Sequence, residues 1–434
     1  MTKVKEELYD RLTGIYNRYS FYEETEKLLR NNPEEQFVIV YWNIQKFKVI
    51  NELFGREAGD SILIHMAEML RTTFCMMDNK YTYGRLERDN FILCFPGWFL
   101  EQKRFLKSGD ITYTKGGMEY HFTSCYGIYF VKDRSLSISA MVDRGRIAME
   151  TVEENYVEPF AYYNEEMRDQ MVMEQIMMSD CKNAIEEEQF EVYLQPICNT
   201  VDGTIVFAEA LVRWKHPERG LIEPGKFIPV FEKNGFISLL DRYIWNKVCQ
   251  VMLRRIQEKK KAVPVSVNVS RVDFYNKSLC NDIFNIVKEH KLDWKMIKLE
   301  ITESAYSDNP GRVIEIVKRL QEYGFDILMD DFGSGYSSFN TLKDLPVDIL
   351  KIDMKFMDDL SKGSKSAIIL ESIVRMAKQM KLKVVAEGVE TKKELDFLKR
   401  IKCDYIQGFY FYKPMPEKEF MDLLDQQELQ EDIL

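Results

Sequence analysis

The sequence predicts an α/β protein of two domains, a compact amino-terminal α/β domain and a larger (β/α)8 barrel, with a helix between them. Three observations carry this reading. Eight short β-rich runs recur over about 240 residues after position 190, most of them separated by helix-length stretches, the periodicity of a closed barrel. The preceding third mixes strand-like and helical runs less regularly, as a mixed α/β domain does. Between the two, "NEEMRDQMVMEQIMMSDCKNAIEEEQF" lacks glycine and proline and is rich in methionine, so it reads as a helix.

In the first domain, "FVIVYWNI" and "FILCFPG" read as strands and "DSILIHMAEMLRTTF" as a helix. The boundaries drawn are 1–163 for this domain, 164–180 for the linker helix with Asn164 as its cap, and 181–434 for the barrel. The barrel runs are "VYLQPI", "TIVFAEALVRW", "VPVSVNVS", "IKLEITES", "FDILMDDFG", "VDILKIDM", "KVVAEGVE" and "YIQGFYFY". Each carries polar residues near its carboxyl end: Gln195, Glu209 with Arg213, Asn268, Glu300 with Glu303, Asp330 with Asp331, Lys351 with Asp353, Glu387 with Glu390, and Gln407. Parallel closure brings these ends to one rim, where barrels build their sites. A barrel interior needs apolar filler, so this many acids are not packing.

Composition sets limits. A hydrophobic content of 45% with 30% charged residues fits a soluble globular chain. A net charge of −10 argues against non-specific binding to nucleic acid or an anionic membrane, and an anionic substrate would need local cations. The eight cysteines form no C-x-x-C pair and no zinc spacing, which fits reduced thiols in the cytoplasm. The start lacks a signal peptide, and no run is long enough to span a bilayer.

Glu209, Asn268, Glu300, Asp330, Asp331 and Glu387 offer oxygen donors without histidine or cysteine. Such a set suits hard cations, Mg2+ or Mn2+, with Ca2+ as an inhibitory substitute. Two ions held there would clamp a phosphoryl group. Adjacent Asp330 and Asp331 would face opposite ways in a regular strand, so the following "FGSG" is expected to turn the chain and aim both inward. Lys351 has two readings, neutralising surplus carboxylate or steadying charge on a phosphate. Arg213 likewise suits a structural ion pair or a phosphate oxygen. Glu303 and Glu390 are placed to support the ligand loops.

The motifs "EALVRW" (209–214), "VNVS" (267–270), "EITES" (300–304), "DDFGSGYSS" (330–338), "LKID" (350–353), "AEGVE" (386–390) and "QGFYFYKP" (407–414) resemble the EAL-domain family. That resemblance implies a phosphodiesterase that opens cyclic di-GMP to linear pGpG with Mg2+ or Mn2+, two ions per site. It implies metal ligation by Glu209, Asn268, Glu300, Asp330, Asp331 and Glu387, with catalytic Lys351 and the ligands Glu209, Asp331 and Glu387 at the chemistry. Glu303 becomes a loop anchor, and Gln195, Arg213, Glu390 and Gln407 become substrate contacts. Ser334 stands where the family often has threonine and keeps the hydroxyl. One barrel strand is expected to run antiparallel. Homodimerisation is expected through the loop after "DDFGSGYSS" and a neighbouring helix. The alternative is a non-catalytic cyclic di-GMP receptor, against which the intact ligand set argues.

"DRLTGIYNR" (10–18) and "NIQKFKVINELFGREAGD" (43–60) resemble a GGDEF domain, the diguanylate cyclase fold. The resemblance is degenerate. Asn43 and Gln45 replace acidic positions, the signature reads "ERDNF" (87–91), Glu150 stands where a triphosphate lysine is usual, and Asp78 and Tyr81 replace the product-inhibition arginine and aspartate. Arg88 replaces a glycine that would let backbone approach nucleotide. No cyclase activity is expected. Asn51 and Asp60 remain at guanine-contact positions, consistent either with a retained regulatory GTP site or with a purely folding role.

Overall fold

In the computed structural model, residues 8–75, 80–101, 110–115, 118–152, 158–333, 342–357, 360 and 364–431 are described. Asp78 and Ser334 lie outside them, as do residues 335–341. The chain divides into two compact units, Met1–Met173 and Glu174–Leu434.

The first unit is built on a strand whose two faces are both buried. Strand β1 (Phe37–Ile44) turns Val38, Val40 and Trp42 into one core with Ile62, Met66 and Leu70 of the helix Arg56–Phe74. Its alternate residues Ile39 and Tyr41 enter a second core, with Phe21 and Leu28 of the helix Arg18–Asn31 and Met141 of the helix Ile138–Glu150. The sheet adds β2 (Thr82–Glu87), β3 (Asn90–Pro96), β4 (Asp110–Lys115), β5 (Met118–Phe130) and β6 (Phe160–Tyr162), in the order β2-β3-β1-β5-β4 with β6 on β5. The crossing of β5 and the helix Ile138–Glu150 is closed by two glycines. A Cβ on Gly127 would lie 1.8 Å from the Gly145 carbonyl oxygen.

Asn164 Oδ1 accepts the Met167 N–H at 2.9 Å, as a cap should. The helix it opens runs Glu165–Glu186, past the expected end at 180. Only Met177, Cys181 and Ala184 of this helix are buried.

The second unit contains β7 (Phe190–Asn199), β8 (Ile205–His216), β9 (Gly220–Ile222), β10 (Val265–Val269), β11 (Ile297–Thr302), β12 (Asp326–Phe332), β13 (Ile349–Ile352), β14 (Lys383–Ala386), β15 (Tyr405–Ile406) and β16 (Met415–Pro416). The strands follow one another as β7-β15-β14-β13-β12-β11-β10-β8, and pairing of β7 with β8 closes the barrel, with β9 and β16 as additions. Each of the eight quoted runs supplies one barrel strand. Strand β7 pairs antiparallel with both β8 and β15, while the other barrel neighbours are parallel. Ile197, Phe207, Leu328, Ile349 and Val385 form an apolar cluster inside this unit, leaving the polar positions to the far ends of the strands. The eight cysteines are free thiols, all buried except Cys75. No helix among the described residues is long and apolar enough to cross a membrane.

Gly127→Ala tests the glycine crossing. Because the obstructing atoms are backbone, the variant is expected to destabilise the first unit by about 3 kcal/mol, read as a lower denaturant midpoint at unchanged slope.

Candidate active site

The Lys351 ammonium lies at the centre of four carboxylates. Its Nζ is 2.7 Å from Glu387 Oε1, 2.8 Å from Glu300 Oε2, and 3.1 Å from both Glu209 Oε2 and Asp330 Oδ1. Lys351 is 1% exposed and Glu300 0%. The barrel explains the convergence. Glu209, Glu300, Asp330 and Lys351 come from β8, β11, β12 and β13, and Glu387 directly follows β14. Asn268 joins through register, as the direct partner of Glu300 across β10 and β11. The Asn268 backbone carbonyl is fixed by the Trp245 Nε1–H at 3.0 Å.

Asp330 and Asp331 leave regular strand geometry before the end of "FGSG", of which Ser334 and Gly335 lie outside the described residues. The β12–β13 register shifts between Met329 and Phe332, and Asp331 itself is left-handed with φ 56°. This bulge breaks strand alternation within the pair. Oxygen atoms of Asp330, Asp331 and Glu387 then lie within 4.8 Å of one another, a spacing that suits a metal ion.

The outer residues divide into two groups. Gln407 Nε2 donates to Glu209 Oε2 (2.7 Å) and to Gln195 Oε1 (2.9 Å), and Gln195 Nε2 donates to the Tyr412 carbonyl (3.3 Å). Gln195 does not arrive there as a strand carboxyl end. Since β7 is antiparallel, its carboxyl end points to the opposite rim, and Gln195 sits beside the ring because it pairs with Glu209. Arg213 shares a strand face with Glu209; it lies over the Tyr193 ring at 5.5 Å, and its Nε is 3.8 Å from Glu223. Glu303 Oε2 accepts the Gly333 N–H at 3.4 Å, tying the loop after β12 to the end of β11. Glu390 is exposed, and its backbone N–H donates to Glu394 (2.7 Å), outside the hydrogen bonds that surround Lys351. Gly388, between Glu387 and Val389, has φ 68°, and a Cβ there would meet Met354 Cβ at 2.4 Å. Sequence reasoning did not assign Tyr193, Trp245 or Tyr412. Tyr193 is placed by the Glu191–Arg213 register of an antiparallel pair, and nothing local in the sequence marks that register.

Electrostatics follow from crowding. Burial pushes Glu300 well above the usual carboxylate range, with Glu209 and Asp330 adding to it against Lys351. Burial, opposed by Lys351 and helped by Asp330 and Glu209, raises Glu387 to about 8. Burial, Asp330 and Asp353 also raise Asp331. Burial alone would lower Lys351, but the charges of Asp330, Glu209, Glu300 and Glu387 outweigh it and hold the lysine protonated. Glu300 Oε1 is buried without a hydrogen-bond partner. A fully buried carboxyl oxygen lacking a partner, in an all-oxygen set, fits a hard divalent cation.

In the first unit, Asn43 Nδ2 donates to Asp89 Oδ2 (2.9 Å) and Asn90 Oδ1 (2.7 Å). An amide lock therefore joins the strand motif to the signature hairpin. Arg88 holds φ 51° in that hairpin, a left-handed conformation that favours glycine. Glu150 pairs with Arg146 at 2.8 Å. Asn51 is half-buried and Asp60 exposed, and a Cβ on Gly59 would fall 2.0 Å from Asn51 Oδ1.

The raised Glu387 carboxyl makes a stability prediction for metal-free protein. The folded state binds this proton up to about pH 8 whereas the unfolded carboxyl releases it near 4.5, so the folded state holds more protons between those values. Stability in chelator should therefore fall as pH rises from about 5 to about 8. Glu387→Gln should flatten that slope in thermal melts.

Comparison with known proteins agrees with the geometry. The EAL domain family model matches residues 178–414, and the model for "Diguanylate cyclase, GGDEF domain" matches 7–157. The chain is 28% identical over 421 residues to the "Bifunctional diguanylate cyclase/cyclic di-GMP phosphodiesterase MucR" of Pseudomonas aeruginosa, covering 95% of this chain and 61% of that one. It is 29% identical over 416 residues to the "Cyclic di-GMP phosphodiesterase NbdA" of the same organism, covering 94% and 53%. The chain thus spans about half to three fifths of the length of these relatives. A solved structure described as "PaMucR Phosphodiesterase, c-di-GMP complex" superposes with a TM-score of 0.54 at 35% identity, over 56% of this chain and 99% of that one. With the family model covering more than half of its residues and a GGDEF domain preceding in tandem, the chain belongs to the EAL-domain family.

Proposed function

We propose that the second unit hydrolyses cyclic di-GMP to linear pGpG in a divalent-metal-dependent reaction, and that the GGDEF domain has no cyclase activity. The observation that carries this is the ring of four carboxylates around Lys351, formed by residues at the family's ligand positions. Glu209, Asn268, Glu300, Asp330, Asp331 and Glu387 would hold Mg2+ or Mn2+. Bound there, the ions supply Lewis acidity toward the phosphodiester and lower the pKa of water, and Ca2+, with its looser coordination, is expected to inhibit.

The chain's own residues do the rest. Lys351 brings a buried positive charge to where negative charge grows on the phosphate oxygens. Gln407 orients the Glu209 carboxylate and is itself steadied by Gln195. Arg213, held at the rim over Tyr193 with a long 3.8 Å approach to Glu223, presents its guanidinium to a phosphate oxygen. Glu390, exposed at the same end, is a substrate contact, and Glu303 holds the β12 loop in place.

What supports the loss of cyclase activity is that Asn43 and Asn90 are neutral amides at positions where the family has acids, hydrogen-bonded to each other, with Asp89 held by the same Asn43 amide. Asn51 and Asp60 support a second role for this domain, GTP recognition that regulates its neighbour. The apolar, exposed Met354, Ile368 and Ile369, where the helix Lys365–Gln379 packs on the turn Met354–Met357, support homodimerisation through the EAL domain. The reduced thiols support a cytoplasmic setting.

Incubation with cyclic di-GMP and Mg2+ or Mn2+, followed by chromatography, tests the reading. The wild-type chain is expected to yield pGpG and Glu209→Ala none. Intact substrate with both ions would leave the receptor alternative in its place. Lys351→Ala should lower kcat much more than it raises KM, because the lysine acts on developing charge; equal losses would remove that role. A melting shift with millimolar GTP, abolished in Asp60→Ala, would establish the nucleotide site, and no shift would leave Asn51 and Asp60 as folding residues.

A further inference from the structure

We infer that Lys351 is the resident counter-cation of this site: its ammonium holds the acidic ring together until divalent ions arrive, and it withdraws from the ring as they bind. The inference rests on the metal-dependent reading above and concerns what the lysine does before any substrate is present.

The geometry is that of a cation surrounded by its ligands. One Nζ reaches four carboxylates at 2.7–3.1 Å, yet an ammonium has three N–H donors. At least one of the four contacts is therefore coulombic without a hydrogen bond. The carboxylates come from separate strands and one strand end, so no local turn holds them together. Their mutual repulsion in a buried setting is opposed by this amine, the one cation in ion-pair contact with them among the described residues.

The arrangement is also incomplete. Lys351 serves Glu300 Oε2, while Glu300 Oε1, equally buried, has no partner. A lone ammonium leaves acceptor capacity that a further cation can use. A divalent ion takes these same oxygens at about 2.0–2.1 Å. An ammonium kept within hydrogen-bonding distance of all four would then repel it as a like charge. Binding of the ion and full engagement of the lysine exclude each other, and linkage makes the effect reciprocal: the contacts that stabilise the metal-free ring weaken its affinity for metal.

Lys351→Met keeps the length of the side chain and removes the charge, and it is studied in the full chain with Mn2+ alone as probe. In chelator, its melting temperature is expected to fall by more than about 5 °C relative to wild type. Its dissociation constant for Mn2+, from calorimetry or the loss of the free-ion electron paramagnetic resonance signal, is expected to fall about tenfold, and saturating Mn2+ should restore most of the lost melting temperature. An unchanged melting temperature in chelator, or Mn2+ affinity equal to or weaker than wild type, would overturn the inference. Failure of the wild-type chain to bind Mn2+ at all would instead remove the metal-dependent reading beneath it. If the single variant does not fold, the pair Lys351→Met/Glu387→Gln and Glu387→Gln carries the test. The double variant removes the ammonium together with the carboxyl oxygen it faces at 2.7 Å, so it should fold and bind Mn2+ more tightly than Glu387→Gln alone. A double variant that fails to fold also counts against the idea.

Discussion

Like charges forced together in a dry place are the constraint on which the second unit turns. Glu209, Glu300, Asp330 and Glu387 could each be fully hydrated on an open surface; at the mouth of a closed barrel Glu209 and Glu300 are buried and the other two mostly so. Burying unpaired carboxylates is prohibitive unless a cation stands among them, and β13 delivers one. The rest of the architecture serves that meeting. Parallel closure brings the strand ends together, the bulge at Asp331 doubles the acidic contribution of β12, and the glutamine pair from β7 and the end of β15 keeps Glu209 from rotating away.

Much of this was legible in the amino-acid sequence because barrel chemistry is periodic. A β-rich run ending in an oxygen donor, repeated through the chain, announces a rim, and the family motifs then assign Glu209, Asn268, Glu300 and Lys351 individually. What stayed hidden was geometry set by neighbours. That Asp331 is left-handed, where the pairing of β12 with β13 shifts, is not written in its own residue type. That Gln195 faces Glu209 depends on the direction of β7, which its residues do not encode. Tyr193 and Trp245 support the site through cross-strand and helix-to-strand contacts, and each reads in isolation as ordinary core or surface.

The first unit makes the complementary point. Its fold is carried by alternation along β1 and by two cores, and these draw on Phe91 of the signature but not on the polar residues before it. The amide hydrogen bonds among Asn43, Asp89 and Asn90 lie at the sheet's end and involve neither core. Side chains there can change while the body that displays them is unaffected.

Arg88 extends that thought. A two-residue connection between twisted antiparallel strands demands a left-handed residue whatever side chain it bears, so the curvature of this turn belongs to β2 and β3 rather than to any nucleotide. Contour and reactivity are consequently independent properties of the hairpin. A superposition of backbones alone would not tell this turn from one tipped with glycine, and only the side chains at its tip mark the difference.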